Sequence, residues 1–380
     1  MRKKGAGVTR DKLKVIVVAG ARPNFVKCAP ILSALEKSGR FETTFIHTGQ
    51  HYDYDMSDIF FRHLRLRKPD ICLDVGSAPR AVQIERVSRR FEEAARKINP
   101  DIVIVVGDVN STLGAAIAAS MLKVKLAHVE AGLRSFDKSM PEEDNRVRTD
   151  ALSDFLFTTS ESAGDNLARE GVIGRKVHFV GNVMIDSLVS SLKEAERSCI
   201  LSNLGLKKNG YYLLTLHRPS NVDRLKKFMG IIGAIGDIAE RTGCRIVFPA
   251  HPRTQKAMEK LNTANALKDK DLFLIIKPLG YLDFLKLMRH SRMVLTDSGG
   301  IQEETSYLKV PCLTIRRNTE RPVTVESGNN IIAGTEPEAI LNSFEKLKSR
   351  FSAEKVKPIK FWDGRTASRI VRVLIDEAKR

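Results

Sequence analysis

What most constrains this chain is a pattern: short, unbroken apolar runs alternate with helical stretches, and the pattern begins again after Gly205. Unbroken runs, as opposed to alternating ones, mark strands buried on both faces of a parallel sheet covered by helices. In the first half they lie at 14–19, 43–48, 101–106, 125–129, 155–159 and 177–180, and in the second at 211–216, 245–249, 272–277, 293–296 and 312–315. Between strands, Arg80–Ile98 is expected as a helix with Val82, Val87, Phe91, Ala95 and Ile98 on one face. The expectation is an α/β protein of two Rossmann-like, doubly wound domains facing across a cleft. Ligands should then meet the carboxyl ends of the strands.

A chain of 380 residues exceeds one ordinary domain of roughly 100–200 residues and suits two. The first is placed at 1–186, a polar crossover at 187–208 and the second at 209–361. A closing helix at 362–380 has Ala367, Ile370, Val371, Leu374 and Ile375 on one side. No apolar run approaches the ~18 residues needed to span a bilayer, so no membrane partner is expected. The basic start before Val15-Ile16-Val17-Val18-Ala19 mimics a signal peptide only loosely and reads as a first buried strand. The five cysteines are scattered, with no C-x-x-C pair. Neither a metal site nor a disulfide framework is expected, and a reducing, cytoplasmic compartment fits. The net charge of +18 would suit an anionic partner. Its basic residues, however, sit among acids on expected helices, as in Arg89-Arg90-Phe91-Glu92-Glu93. No aromatic RNA-binding motif appears, and nucleic acid is not expected as a partner.

Chemically demanding residues collect just after the expected strands. Gly20-Ala21-Arg22-Pro23 leads into a helix that carries Lys27, and Arg22 and Lys27 could flank an anion there. Asp108 follows the third run, Glu130 ends the fourth, and Glu142 comes soon after. A carboxylate beside a buried apolar run is costly unless paired or working. Acid–base chemistry and salt bridges to Arg134 or Arg146 are the two readings, with helix capping a third for Asp108. In the second half, Asp297-Ser298-Gly299-Gly300 turns a strand into a helix, and Glu304 lies one turn inside. Free N–H groups and the helix dipole make such a turn an anion site, which points to a nucleotide diphosphate with Glu304 facing the ribose hydroxyls. His217, His251 and Arg321 follow further strands of this half.

Taken in order, these residues resemble the non-hydrolysing UDP-N-acetylglucosamine 2-epimerases. The resemblance rests on Gly20-Ala21-Arg22-Pro23, Thr48-Gly49-Gln50-His51-Tyr52, Gly107-Asp108, His128-Val129-Glu130-Ala131-Gly132-Leu133-Arg134 and Pro141-Glu142-Glu143 in the first half. In the second it rests on Leu216-His217-Arg218, Asp297-Ser298-Gly299-Gly300-Ile301-Gln302-Glu303-Glu304 and Thr319-Glu320-Arg321-Pro322. It implies a glycosyltransferase-B type fold, a homodimer and interconversion of UDP-GlcNAc with UDP-ManNAc. It makes Asp108, Glu130 and Glu142 the catalytic carboxylates, with Lys27 and His217 in the same active-site motifs. Arg22, His217, Ser298, Gly299 and Gly300 would hold the diphosphate, Glu304 the ribose, and Arg321 a nearby anion or domain contact. Some relatives bind a second UDP-GlcNAc as activator through two glutamines. Here Gln50 is present but Asp53 replaces the other, so that activation is not expected. His217-Arg218-Pro219-Ser220-Asn221-Val222-Asp223 and the short loop from Arg134 to Pro141 look more like a subgroup that includes epimerases of modified UDP-hexosamines.

The implied reaction needs a clamp for the departing pyrophosphate, carboxylates around the sugar and exclusion of water. It needs no redox cofactor, and no Gly-x-Gly-x-x-Gly follows Ala19. Cofactors and metals are therefore not expected, and the partner is a UDP-sugar. A UDP-sugar glycosyltransferase and a hydrolysing epimerase would share the architecture.

Overall fold

The computed structural model describes residues 12–49, 66–260 and 272–377. Thirteen strands form two parallel sheets among these residues. The first comprises β1 (Leu13–Ala19), β2 (Phe41–His47), β3 (Ile71–Cys72), β4 (Ile102–Val106), β5 (Lys125–Ala131), β6 (Phe155–Thr158) and β7 (Val177–Phe179). The second comprises β8 (Tyr211–Thr215), β9 (Arg245–Pro249), β10 (Phe273–Ile276), β11 (Met293–Thr296), β12 (Cys312–Thr314) and β13 (Asn330–Ile332). The unbroken run Ile-Val-Ile-Val-Val of β4 is buried at every position, as a strand covered on both faces requires. The expected strands all form, within two residues of their anticipated ends. β3 and β13 were not anticipated: the first has two residues, and the second starts on Asn330.

The strand orders are β3-β2-β1-β4-β5-β6-β7 and β10-β9-β8-β11-β12-β13. In each, the order reverses at one point, between β1 and β4 and between β8 and β11. A crevice opens at the carboxyl ends there, because the connections leave in opposite directions. Both reversal points carry the loops singled out from the sequence: 20–27 and 107–108 in the first sheet, 216–218 and 297–300 in the second.

The helix Arg80–Ile98 forms over its full expected length. Its face is rotated from expectation: Gln83 and Ile84 are buried beside Val87, Phe91 and Ala95, while Val82 is 40% exposed. Gln83 is drawn inward because its amide donates to the Gly76 carbonyl and accepts from Asn110. The helix Thr366–Glu377 returns to the first sheet, where Ala367, Ile370, Val371 and Leu374 join Phe25, Ile31 and Leu35 in one core. Asp186 caps it from a distance, accepting from the Thr366 and Ala367 N–H groups at 3.1 and 2.8 Å.

The chain thus passes between the halves twice, and the two passages touch at Gly181. This residue has φ +97°, and a Cβ there would lie 2.1 Å from the Phe361 carbonyl oxygen. No helix among the described residues is long and apolar enough to cross a membrane. Gly181→Ala should destabilise the protein by about 3 kcal/mol, combining backbone strain with a clash against main chain. Urea denaturation checks this, and an unchanged midpoint would show that the crossing can shift at no cost.

Candidate active site

Glu130, next to last in β5, has an unusual backbone state. Its φ is +77°, and the β5–β6 register shifts between Val129 and Ala131. A bulge of this kind breaks the ladder and re-aims a side chain, and a non-glycine residue at positive φ is strained. The re-aimed carboxylate is only 4% exposed. It forms an ion pair with Lys27 at Oε2, and Oε1 accepts from Arg321 Nη2 at 2.7 Å. Lys27 reaches it from the helix Arg22–Ser38. Burial acts to lower the Lys27 pKa, but Glu130 and then Asp108 outweigh it and hold the ammonium above its usual range.

Asp108 stands on the neighbouring loop after β4, 2.5 Å from Arg146 Nη2. Burial acts to raise its pKa, while Arg146, Lys27 and Arg321 together pull it below the ordinary carboxylate range. The structure therefore realises one of the salt bridges weighed from the sequence and brings Asp108 and Glu130 around Lys27. Glu142 is set differently. It is exposed in the first turn of the helix Pro141–Leu152, and its neighbour Glu143 is drawn inward. Glu143 accepts from the Ser135 and Phe136 N–H groups and from Arg146.

Opposite these groups stands the second sheet. Ser298 is the N-cap of the helix Gly299–Leu308, and its hydroxyl makes no capping bond. Asp297 is fully buried and accepts from the backbone N–H groups of His217 and Arg218, from His217 Nδ1 at 3.0 Å and from Asn221. Burial acts to raise its pKa, yet His217 and those N–H groups hold it below the usual range. The Nδ1 contact fixes the ring of His217, whose side chain is 40% exposed.

Glu304 is buried and accepts from the Tyr281 hydroxyl at 2.8 Å. Burial raises its pKa to about 7 against the opposing Tyr281 hydrogen bond. Arg22 is the first residue of its helix, but its side chain lies outside the described residues, as do Gln50 and Asp53. His251 has its ring centroid 5.8 Å from that of His217. Among the described residues, no group of three or more His, Cys, Asp or Glu side chains is placed to hold a metal ion.

Arg321 joins the two sides. Its Nε meets Glu303 at 2.5 Å, Nη1 meets Glu320 at 2.5 Å, and Nη2 meets Glu130 on the other sheet. Burial acts against its charge, but the three carboxylates raise its pKa well above normal. Burial also raises Glu303, to about 7. Glu320 goes the other way. Although buried, it is held well below the usual range by Arg321, Arg316, Arg146 and Arg218. Asn318 adds a second link across the cleft, donating to the Ser135 carbonyl at 3.3 Å. Glu303, Glu320 and Tyr281 had no assigned role from sequence. Their signal was weak, because nothing local shows that an acid will be buried against a distant arginine.

The two glycines are explained differently from each other. A Cβ on Gly299 would lie 2.6 Å from Arg321 Nη1 and 2.8 Å from Glu320 Oε1, so the ion-pair cluster itself fills that space. At Gly300 the nearest atom is the Met184 terminal methyl at 3.6 Å. Gly299→Ala should therefore destabilise the fold by about 1–3 kcal/mol, as overpacking does. Gly300→Ala should be neutral or stabilising by up to about 1 kcal/mol, from helix propensity. Denaturant titration of both variants checks the asymmetry, and equal losses would refute it.

Comparison with known proteins adds to this geometry. A family model described as UDP-N-acetylglucosamine 2-epimerase matches residues 33–375. A UDP-N-acetylglucosamine 2-epimerase of Methanococcus maripaludis is 41% identical, with 96% of this chain and 99% of that one covered. A UDP-2,3-diacetamido-2,3-dideoxy-D-glucuronate 2-epimerase of Pseudomonas aeruginosa is 39% identical over 87% of this chain and 91% of that one. The crystal structure of the Methanocaldococcus jannaschii UDP-GlcNAc 2-epimerase in complex with UDP-GlcNAc and UDP superposes with a TM-score of 0.89 at 42% identity. It covers 96% of this chain and 100% of that one. The two facing parallel sheets are the glycosyltransferase-B type architecture of such enzymes.

Proposed function

On the premise that the chain belongs to the UDP-N-acetylglucosamine 2-epimerase family, and is thus an isomerase, we propose that it reversibly converts UDP-GlcNAc to UDP-ManNAc by eliminating and re-adding UDP. One observation carries this reading: Asp108, Lys27 and the strained Glu130 on one sheet face Arg321 and an N-terminal helix turn without a side-chain cap on the other.

The C2 proton of the sugar has no carbonyl beside it and is not acidic. As the C1–O bond to UDP stretches, positive charge grows at C1 and acidifies C2–H. A carboxylate takes the proton, C1=C2 forms, and UDP leaves with the bonding pair. Return of a proton to the opposite face of C2 and of UDP to C1 completes the inversion with no net redox change. Asp108, Glu130 and Glu142 are the acid–base candidates. The Ser298 hydroxyl and the N–H groups of Gly299 and Gly300, with His217 and Arg22, would clamp the pyrophosphate, where preorganised dipoles and charge act on the leaving group. Glu304, oriented by Tyr281, would take the ribose. The contacts that join the halves, Arg321 with Glu130 and Asn318 with Ser135, would serve to exclude water from the glycal, which separates this outcome from hydrolysis.

The 39% identical Pseudomonas relative supports a second reading, in which the sugar carries further substituents. Both readings place the enzyme in the cytoplasm, where UDP-sugars are made.

Turnover in D2O should place deuterium at C2 of the product, read by NMR. Asp108→Asn, Glu130→Gln and Glu142→Gln should each lower kcat at least about 100-fold, the usual scale of acid–base catalysis. UDP affinity measured by calorimetry should stay within a few-fold. Product that keeps its original C2 hydrogen would exclude the elimination route.

A homodimer is the assembly that fits the exposed apolar residues of the first half. Val82, Met121 and Val147 stand 40%, 65% and 40% exposed on the adjoining helices Arg80–Ile98, Asn110–Met121 and Pro141–Leu152. These side chains on three adjoining helices offer apolar contacts to a protein partner, and a second copy is the occupant proposed. Light scattering should give twice the chain mass, and Met121→Glu should shift the protein toward monomer. A monomeric parent protein at micromolar concentration would rule the dimer out.

A further inference from the structure

His128 is completely buried, and the mechanism above gives it no task. It lies in the middle of β5, two residues before Glu130, and both of its ring nitrogens meet acceptors. Nε2 is 2.9 Å from the Gly107 carbonyl oxygen. A carbonyl can only accept, so Nε2 donates. Nδ1 is 2.6 Å from Asp150 Oδ1. The other Asp150 oxygen accepts from the Gly132 N–H at 3.1 Å and pairs with Arg134 at 2.8 Å. Burial acts to raise the Asp150 pKa, but His128 and Arg134 outweigh it, so the group is an ionised acceptor.

Each contact ends on a segment that carries one of the three carboxylates. Gly107 precedes Asp108 on the loop after β4, at φ +65°. Gly132 closes the bulge that re-aims Glu130, at φ +77°. A Cβ on Gly132 would lie 2.3 Å from the Ala163 carbonyl oxygen, so that turn has no slack. Asp150 belongs to the helix Pro141–Leu152, which carries Glu142 in its first turn and also supplies Arg146 to Asp108. Asn145 of the same helix donates to the Asp108 carbonyl at 2.8 Å.

We infer that His128 and Asp150 form a positioning pair that holds the Asp108 loop, the Glu130 bulge and the Glu142 helix in one register. The pair touches no substrate and acts through the placement of those three groups. The inference rests on the catalytic assignment proposed above and extends it to the residues that align it. Alignment on this scale matters because a displacement of about 1 Å at a reacting group costs on the order of 100-fold in rate. Exchanging one partner also leaves the other buried and unsatisfied. Apart from Arg22, which opens the helix after β1, the proposed UDP clamp lies on the other sheet, so nucleotide binding should depend on the pair far less than the placement of the carboxylates does.

The test uses His128→Gln, His128→Asn and the isosteric Asp150→Asn in the full-length protein. Gln places an amide near Nε2 and keeps a donor for Gly107, while Asn places one near Nδ1 and keeps a donor for Asp150. Each variant should lose about 100-fold in kcat, with UDP affinity by calorimetry changed less than about threefold, and the His128→Gln/Asp150→Asn double variant should lose no more than the worse single one. Should a His128 variant fail to fold, Asp150→Asn carries the test, since its shape is unchanged. Parent-like kcat in the folded variants, with only a lowered Tm, overturns the inference. So does a loss of UDP affinity equal to the loss in kcat, which would mean general damage to both halves. A parent enzyme that exchanges no C2 hydrogen on UDP-GlcNAc or a substituted analogue overturns the catalytic assignment itself, and this inference with it.

Discussion

The buried guanidinium of Arg321, alongside the contact of Asn318 with Ser135, links the two halves of this molecule. It is 6% exposed and bonded to Glu303 and Glu320 on its own side and to Glu130 on the other. Taking such a charge out of water costs several kcal/mol, and only near-complete pairing offsets it. Three carboxylates supply that pairing here, so the side chain has one acceptable position. Everything around it follows suit: a Cβ at Gly299 would displace the cluster, Glu320 is drawn among four arginines, and Glu130 is held from both ends by Lys27 and Arg321. The electrostatics of the first sheet's carboxylates are therefore set partly by residues of the second.

The candidate site residues sit where the backbone departs from regular structure. A parallel strand ends at each reversal point of a doubly wound sheet, and its last residues face a crevice with no helix above them. At β5 the departure goes further, since Glu130 adopts a positive φ inside a bulge. Such a conformation costs on the order of 1–3 kcal/mol and persists only where surrounding bonds over-determine it. Those bonds are visible: Lys27 and Arg321 on the side chain, and Asp150 on the Gly132 N–H two residues later. On the facing sheet Asp297 does related work with no strain, gathering two backbone N–H groups and the ring of His217, whose side chain stays 40% exposed.

Much of this was legible in the chain itself. Unbroken apolar runs such as Ile102–Val106 identify buried parallel strands, and two cycles of them identify two doubly wound sheets. Residues placed directly after those runs are the candidates for a site, because strand ends are where such sheets bind, and Asp108, Glu130, His217 and the Ser298-Gly299-Gly300 turn stand at the carboxyl edges of the two sheets. Where reading failed locally, the cause was short or mixed signal. β3 offers two residues, β13 begins on an asparagine, and Gln83 displaced Val82 from the buried face by finding a carbonyl on Gly76.

What the tertiary structure decided was pairing. Glu130 and Arg321 are 191 positions apart, and Tyr281 and Glu304 are 23 apart with β11 between them. No local propensity distinguishes Glu143, which turns inward to accept two backbone N–H groups, from Glu142, which stays exposed beside it. Burial and pairing of charge depend on distances between segments that meet only in the folded chain. The sequence by itself determined the secondary structure, the two sheets and the strand-end loops that carry the candidate site residues, since periodicity and strand-end position are local properties. Which acid meets which base, and hence which carboxylates are held ionised, is a long-range electrostatic outcome that only the assembled fold settles.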